Sequence, residues 1–227
     1  MQAHTAQRIV LVTGASRGIG AEVALQLADP DTHVIVACRE NTTQAMAVVD
    51  DIIAAGGHAS TVTADISDEA AVAAMIDHID RRFGRLDMLV LTASGRFKKS
   101  DCAGVAMRIN RLAQRRLAQL ALPLMPAGGQ IVFVTNHQAH FYPYKAVPKG
   151  YTSMAAGKRA GETTLHAMRS EFRRHGIEFT VVSGEILDLF LPTHTEFAAA
   201  VSGAAYSHHS GIVYVGRTDH PTARASA

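Results

Sequence analysis

Seven short apolar runs, separated by stretches of helical periodicity, restrict the folds open to this chain more than any other feature. Ile9–Thr13, His33–Cys38, His58–Ala64, Leu86–Thr92, Gln130–Thr135, Glu178–Ser183 and Ile212–Val215 read as strands. The first, fourth, fifth and sixth are apolar on successive residues rather than alternate ones, as parallel strands covered on both faces require. Between them the spacing predicts helices near 19–28, 42–55, 69–83, 103–122 and 151–175. Ser67 or Asp68 can cap the third, Pro30 stops the first, and Gly56-Gly57 ends the second. Such alternation yields an α/β chain, a doubly wound seven-stranded parallel sheet with right-handed crossovers and helices on both faces. A length of 227 residues suits one core. Residues 1–227 are therefore expected to form a single domain, with flexible tails at 1–7 and 217–227.

Thr13-Gly14-Ala15-Ser16-Arg17-Gly18-Ile19-Gly20 joins the first strand to the first helix. Gly14 permits a tight turn, while Gly18 and Gly20 let a diphosphate approach the helix N-terminus, where unpaired N–H groups and the dipole attract anions. A glycine triplet alone is a weak signal. Placed between a buried strand and a helix it becomes a strong one, and the fold class narrows to a single-domain Rossmann fold that binds a dinucleotide through Gly14, Ser16, Arg17, Gly18, Ile19 and Gly20.

A formal charge of +2 gives no reason to expect nucleic acid or an anionic membrane as partner. The Arg-Arg pairs at 81–82, 115–116 and 173–174 fall on predicted helices and read as solvated faces. Cys38 and Cys102 lack metal or redox spacing and read as apolar fillers in a reducing compartment. With no signal-like or membrane-spanning run, a cytoplasmic protein acting on a small molecule is expected. His137 and His140 lack a third ligand at regular spacing, so they read as polar loop residues and no metal is expected.

The Gly-x3-Gly-x-Gly spacing resembles that of the short-chain dehydrogenase/reductase family, and the resemblance runs through nearly the whole chain. Asp65-Ile66 after the third strand is similar to the family's adenine-contacting pair. Phe83 to Val90 is similar to its run into the fourth strand, where Thr92 and Ala93 replace part of the usual motif. Asn110 is similar to the asparagine of its long central helix, and Gly129 to Thr135 to its fifth strand. The resemblance implies NAD(H) or NADP(H) as cofactor, and a homodimer or homotetramer. It also implies that Gly184 and Ile186, after the sixth strand, face the nicotinamide. Where an NAD enzyme places an acidic residue after the second strand, this chain has Arg39. Arg39 and Arg17 together suit the 2′-phosphate of NADP(H).

The lysine in the family's catalytic register is Lys158, and Met154 stands four residues before it, where the common pattern has the proton-donating tyrosine. Tyr151 stands seven residues before Lys158. Two helical turns put the pair on one face, about 10 Å apart along the axis. Tyr151-x-x-Met154-x-x-x-Lys158 resembles the motif of the family's enoyl reductase branch. The displacement has a chemical reason: when hydride adds to the β-carbon of an enone or enoyl thioester, charge develops on an oxygen two carbons away, so the donor stands further off. Tyr151, Lys158, Asn110 and Asn136 are the expected catalytic residues, Asn136 standing near the place of the family's serine. Met154 and Tyr142 are expected at the substrate. Leu189 to Ser210 reads as a short lid without interpretable pattern. Three readings stay open: reduction of an activated C=C bond, carbonyl reduction with a displaced tyrosine, and a catalytically silent NADP-binding protein.

Overall fold

A computed structural model describes residues 8–93, 103–185, 194–207 and 210–216. The expected tails, Cys102 and Ile186 lie outside the described residues. Strands β1 (Arg8–Thr13), β2 (Thr32–Cys38), β3 (His58–Thr63), β4 (Met88–Leu91), β5 (Gln130–Asn136), β6 (Glu178–Gly184) and β7 (Gly211–Val215) form one sheet in the order β3-β2-β1-β4-β5-β6-β7. Every pairing is parallel. The chain winds outward from β1 to β3, then returns to β4 on the other side, so a crevice opens between the C-terminal ends of β1 and β4.

Side-chain alternation along the strands separates two cores. Ile9, Leu11, Leu89, Leu91, Ile131 and Phe133 face α3 (Glu69–Phe83), α5 (Gln114–Ala121) and α7 (Thr152–Ala167). Val10, Val12, Val90, Val132 and Val134 face α1 (Gly18–Leu27), α2 (Thr42–Ala54) and α9 (His194–Tyr206). The Asp68 carboxylate caps α3 by accepting from the Ala70 and Ala71 amides, as its position predicts. The following Gly84 adopts φ +66 and closes the helix.

Four local readings are corrected. The helix expected over 103–122 is α4 (Ala103–Met107), a π-helical segment Arg108–Ala113, then α5 and a 3-10 turn Leu122–Leu124. The helix expected over 151–175 divides into α7 and α8 (Arg169–Arg174) around Met168. His137 and His140 are buried on a one-turn helix, α6 (His137–His140), rather than in a polar loop. The stretch read as a patternless lid contains α9, whose Phe197, Ala198, Val201, Ala204 and Ala205 enter the second core.

Candidate active site

The crevice is a cleft of about 700 Å³ whose wall combines the glycine-rich turn, the ends of β2, β3 and β5, and the start of α7. Gly14 and Gly18 both have positive φ, +66 and +59, where other residues are strained. A Cβ on Gly18 would meet nothing within 4 Å, so the space above the turn is open. Gly20 is required for a different reason: a Cβ there would come within 2.5 Å of the Gly14 carbonyl. Arg17, at the N-cap of α1, is extended and supplies no side-chain cap, leaving the first N–H groups of the helix to the cleft that Gly18, Ile19 and Gly20 line. The Thr92 hydroxyl donates to the Thr13 carbonyl, fastening the end of β4 to the turn.

Arg17, Arg39, Asp65 and Ile66 line the far end of the cleft. Glu40 and Asn41, missed in the sequence, line it too. The Arg39 guanidinium pairs with the Glu40 carboxylate, Nε lying 2.9 Å from it. Burial acts to raise the Asp65 carboxyl, but the Ser67 hydroxyl and amide, aided by the charges of Arg39 and Arg108, hold it below its ordinary value.

At the other end stand Tyr151, Lys158 and Asn136. The Asn136 Oδ1 accepts from the Ala139 amide at 2.9 Å, capping α6. That bond fixes the amide's orientation, and its Nδ2 donates to the Tyr151 hydroxyl at 2.6 Å. Burial raises the Tyr151 pKa while the Asn136 bond opposes it, and the net shift is upward, so the phenol is a proton-bearing group at neutral pH. Burial also lowers the Lys158 ammonium from 10.5 to about 8. Tyr151 is the N-cap residue of α7 rather than a residue of its first turn.

Asn110, Met154 and Tyr142 are not on the cleft wall. Asn110, in the π-helical segment, is buried; its Nδ2 donates to the Ala106 carbonyl at 3.0 Å and points to the Met154 sulfur at 3.6 Å. Met154 is thus turned into the contact between α7 and the π-helical segment Arg108–Ala113. That contact is close because Gly157 and Gly161 bring backbone against backbone: a Cβ on Gly161 would lie 1.9 Å from the Asn110 carbonyl. Gly184 sits beneath the Phe197 ring, which would lie 2.7 Å from a Cβ there. Phe197 and Glu185 line the cleft instead, and neither was singled out from sequence.

His137 and His140 are accounted for by protein partners. His137 Nε2–H donates to the Val215 carbonyl at 3.1 Å, so Nδ1 accepts from the Ser183 hydroxyl at 2.9 Å in the neutral ring. Burial lowers its pKa. Among the described residues no cluster of three or more His, Cys, Asp or Glu could hold a metal, and no helix is long and apolar enough to cross a membrane.

Residues 8–190 match the family model described as short chain dehydrogenase. The chain is 33% identical over 195 residues to the 1-cyclohexenylcarbonyl-CoA reductase of Streptomyces collinus, covering 82% of this chain and 68% of that one. It is 33% identical over 189 residues to the 3-oxoacyl-[acyl-carrier-protein] reductase of Synechocystis sp., covering 76% of each. Matched stretches cover from 61% to 76% of the length of these and other curated relatives. Among solved structures, a short chain dehydrogenase of Burkholderia cenocepacia in complex with NADP superposes with a TM-score of 0.77 at 24% identity, over 93% of this chain and 98% of that one.

Proposed function

This chain belongs to the short-chain dehydrogenase family, and from that premise we propose that it is an NADP(H)-dependent oxidoreductase that reduces an activated C=C bond, an enone or an enoyl thioester. One observation carries the reading. Tyr151, seven residues before Lys158, shares the cleft wall with it, while Met154, at the spacing of the carbonyl-reducing pattern, is packed away against Asn110. The relative whose name specifies an alkenyl-carbonyl thioester supports the same chemistry.

The cleft suits the cofactor. The open space above Gly18 and the uncapped start of α1 fit a diphosphate. Arg17 and Arg39 fit a 2′-phosphate. Thr92, Ala93, Gly184 and Ile186 are assigned to its nicotinamide end. When bound, NADP(H) supplies the hydride. Lys158 holds the ribose hydroxyls and keeps positive charge beside the reacting centre. The Tyr151 O–H stabilises the substrate oxygen on which negative charge develops, and Asn136 holds the phenol oxygen from behind. Asn110, Met154 and Tyr142 lie off the cleft wall and are given no direct part in the reaction. A cytoplasmic homodimer or homotetramer is part of the same reading, by family analogy.

Carbonyl reduction is the second reading, favoured by the retained Asn110 and by the similarity to a 3-oxoacyl reductase. NADPH oxidation with matched enones, enoyl thioesters and ketones separates the two. Conjugated alkenes are the expected substrates, with Tyr151→Phe slowing their turnover by about 10²-fold or more. Turnover of ketones alone overturns the assignment, and undiminished alkene reduction by Tyr151→Phe rejects the phenol's role.

A further inference from the structure

Glu162 is fully buried in α7, where a carboxylate persists only if its charge is met. It accepts from His140 Nδ1 at 2.9 and 3.0 Å and from Arg159 at 2.8 Å, and His166 Nε2 lies 3.7 Å away. Burial alone would raise its pKa, but bonds from His140 and His166 and the charges of His140 and Arg159 bring it down to about 2. An ionised carboxylate only accepts, so the Nδ1 of His140 carries hydrogen. The Nε2 of the same ring is 2.9 Å from the Tyr214 hydroxyl on β7.

These contacts close a ring. His140 is the last residue of α6, and Asn136 is the cap of that same turn. From Asn136 the path runs along α6 to His140, across to Glu162, and back along α7 past Lys158 to Tyr151. It then returns through the Tyr151 hydroxyl to Asn136. Both long sides are helical, so little slack remains once the His140–Glu162 bond is made. His140 is not on the cleft wall.

We infer that the His140–Glu162 pair is a positioning clasp for the proton donor: it holds α6 against α7 and so keeps the Asn136 amide on the Tyr151 hydroxyl. The groups facing the carboxylate are His140 from α6 and Arg159 and His166 from α7, with Tyr214 of β7 behind His140. The kinetic consequence rests on the reductase reading; the clasp itself does not.

The test compares His140→Phe, which keeps a ring and removes the donor, with His140→Asn, which keeps a donor near the place of Nδ1. The first readout needs no substrate: hydrogen exchange of the Asn136 side-chain amide by NMR, its signal assigned with Asn136→Ser. Exchange is expected to rise about tenfold in His140→Phe, or about 1.4 kcal/mol, and to return toward wild type in His140→Asn. The second readout is kinetic: kcat falls about tenfold in His140→Phe with KM for NADPH unchanged. Glu162→Leu removes the acceptor at similar size, and it decides the matter by the same exchange signal if His140→Phe does not fold. Unchanged exchange in the donor-free variant overturns the clasp, and so does equal loosening in His140→Phe and His140→Asn. Loosened exchange with no turnover of any substrate by wild type leaves the clasp standing and removes the reductase reading instead.

Discussion

Replacing Lys158 by methionine is expected to stabilise the ligand-free protein at pH 7, by an amount that shrinks as pH rises. Burial lowers the ammonium from 10.5 to about 8. At 1.36 kcal/mol for each pH unit, that displacement converts to about 3 kcal/mol of cost to the folded state. The lysine lines an open cleft and the residue as a whole is only partly buried, so about half that amount is the expected gain at pH 7. For a chain of this size that is a rise in Tm of about 3–6 °C. Between pH 8 and 10.5 the folded protein releases the proton while the unfolded chain retains it, so the unfolded state binds more protons and wild type gains stability with rising pH. The methionine variant has no such slope, and the two melting curves converge toward pH 10. Thermal melts of both proteins across pH 7–10 make the measurement. A variant less stable than wild type at pH 7, or a gap that stays constant with pH, refutes the argument that burial of the ammonium is unfavourable here. NADPH reverses the order, because it stabilises the protein that binds it more tightly by RT ln(1 + [L]/Kd).

Arg39→Ala is expected to weaken NADPH binding at least tenfold while changing NADH binding less than threefold, about the loss of one charged hydrogen-bonded pair; equal losses measured by fluorescence titration would remove Arg39 from the 2′-phosphate. Gly161→Ala forces a methyl within 1.9 Å of the Asn110 carbonyl, so a loss of about 3 kcal/mol or more is expected in denaturant titration. Gly203→Ala, at an α9 position where a Cβ meets nothing within 4 Å, is its control and is expected to be neutral or slightly stabilising.

The sheet was legible because parallel strands buried on both faces leave unbroken apolar runs, and β1, β2, β5 and β6 follow their predicted bounds within a residue or so. Helix α9 was not, because its inward positions are mostly alanine and give little contrast with the outward ones. The π-helical segment Arg108–Ala113 has no sequence signature of its own: an i→i+5 turn is set by what packs against it, here the glycine face of α7. The cleft's glycine turn was found from its spacing and its place between strand and helix, whereas Arg39, Tyr151 and Lys158 were placed through the family resemblance; all line the cleft. Met154 and Asn110 were placed at the cleft by register, yet the helix crossing turns both inward. Glu162 was readable and missed: Ala155, Glu162 and Leu165 share the inward face of α7, and a carboxylate there demands partners such as His140.

Lys158 lies between two glycines that lay the main chain of α7 directly on the main chain of its neighbour. A joint between backbones has no rotamers to relax, so the depth of the ammonium in the crevice is insulated from exchange of the side chains around it. Evolution can therefore trade a phenol for a thioether at 154, or retune the acid at 151, and find the lysine still in register for whatever new reaction results.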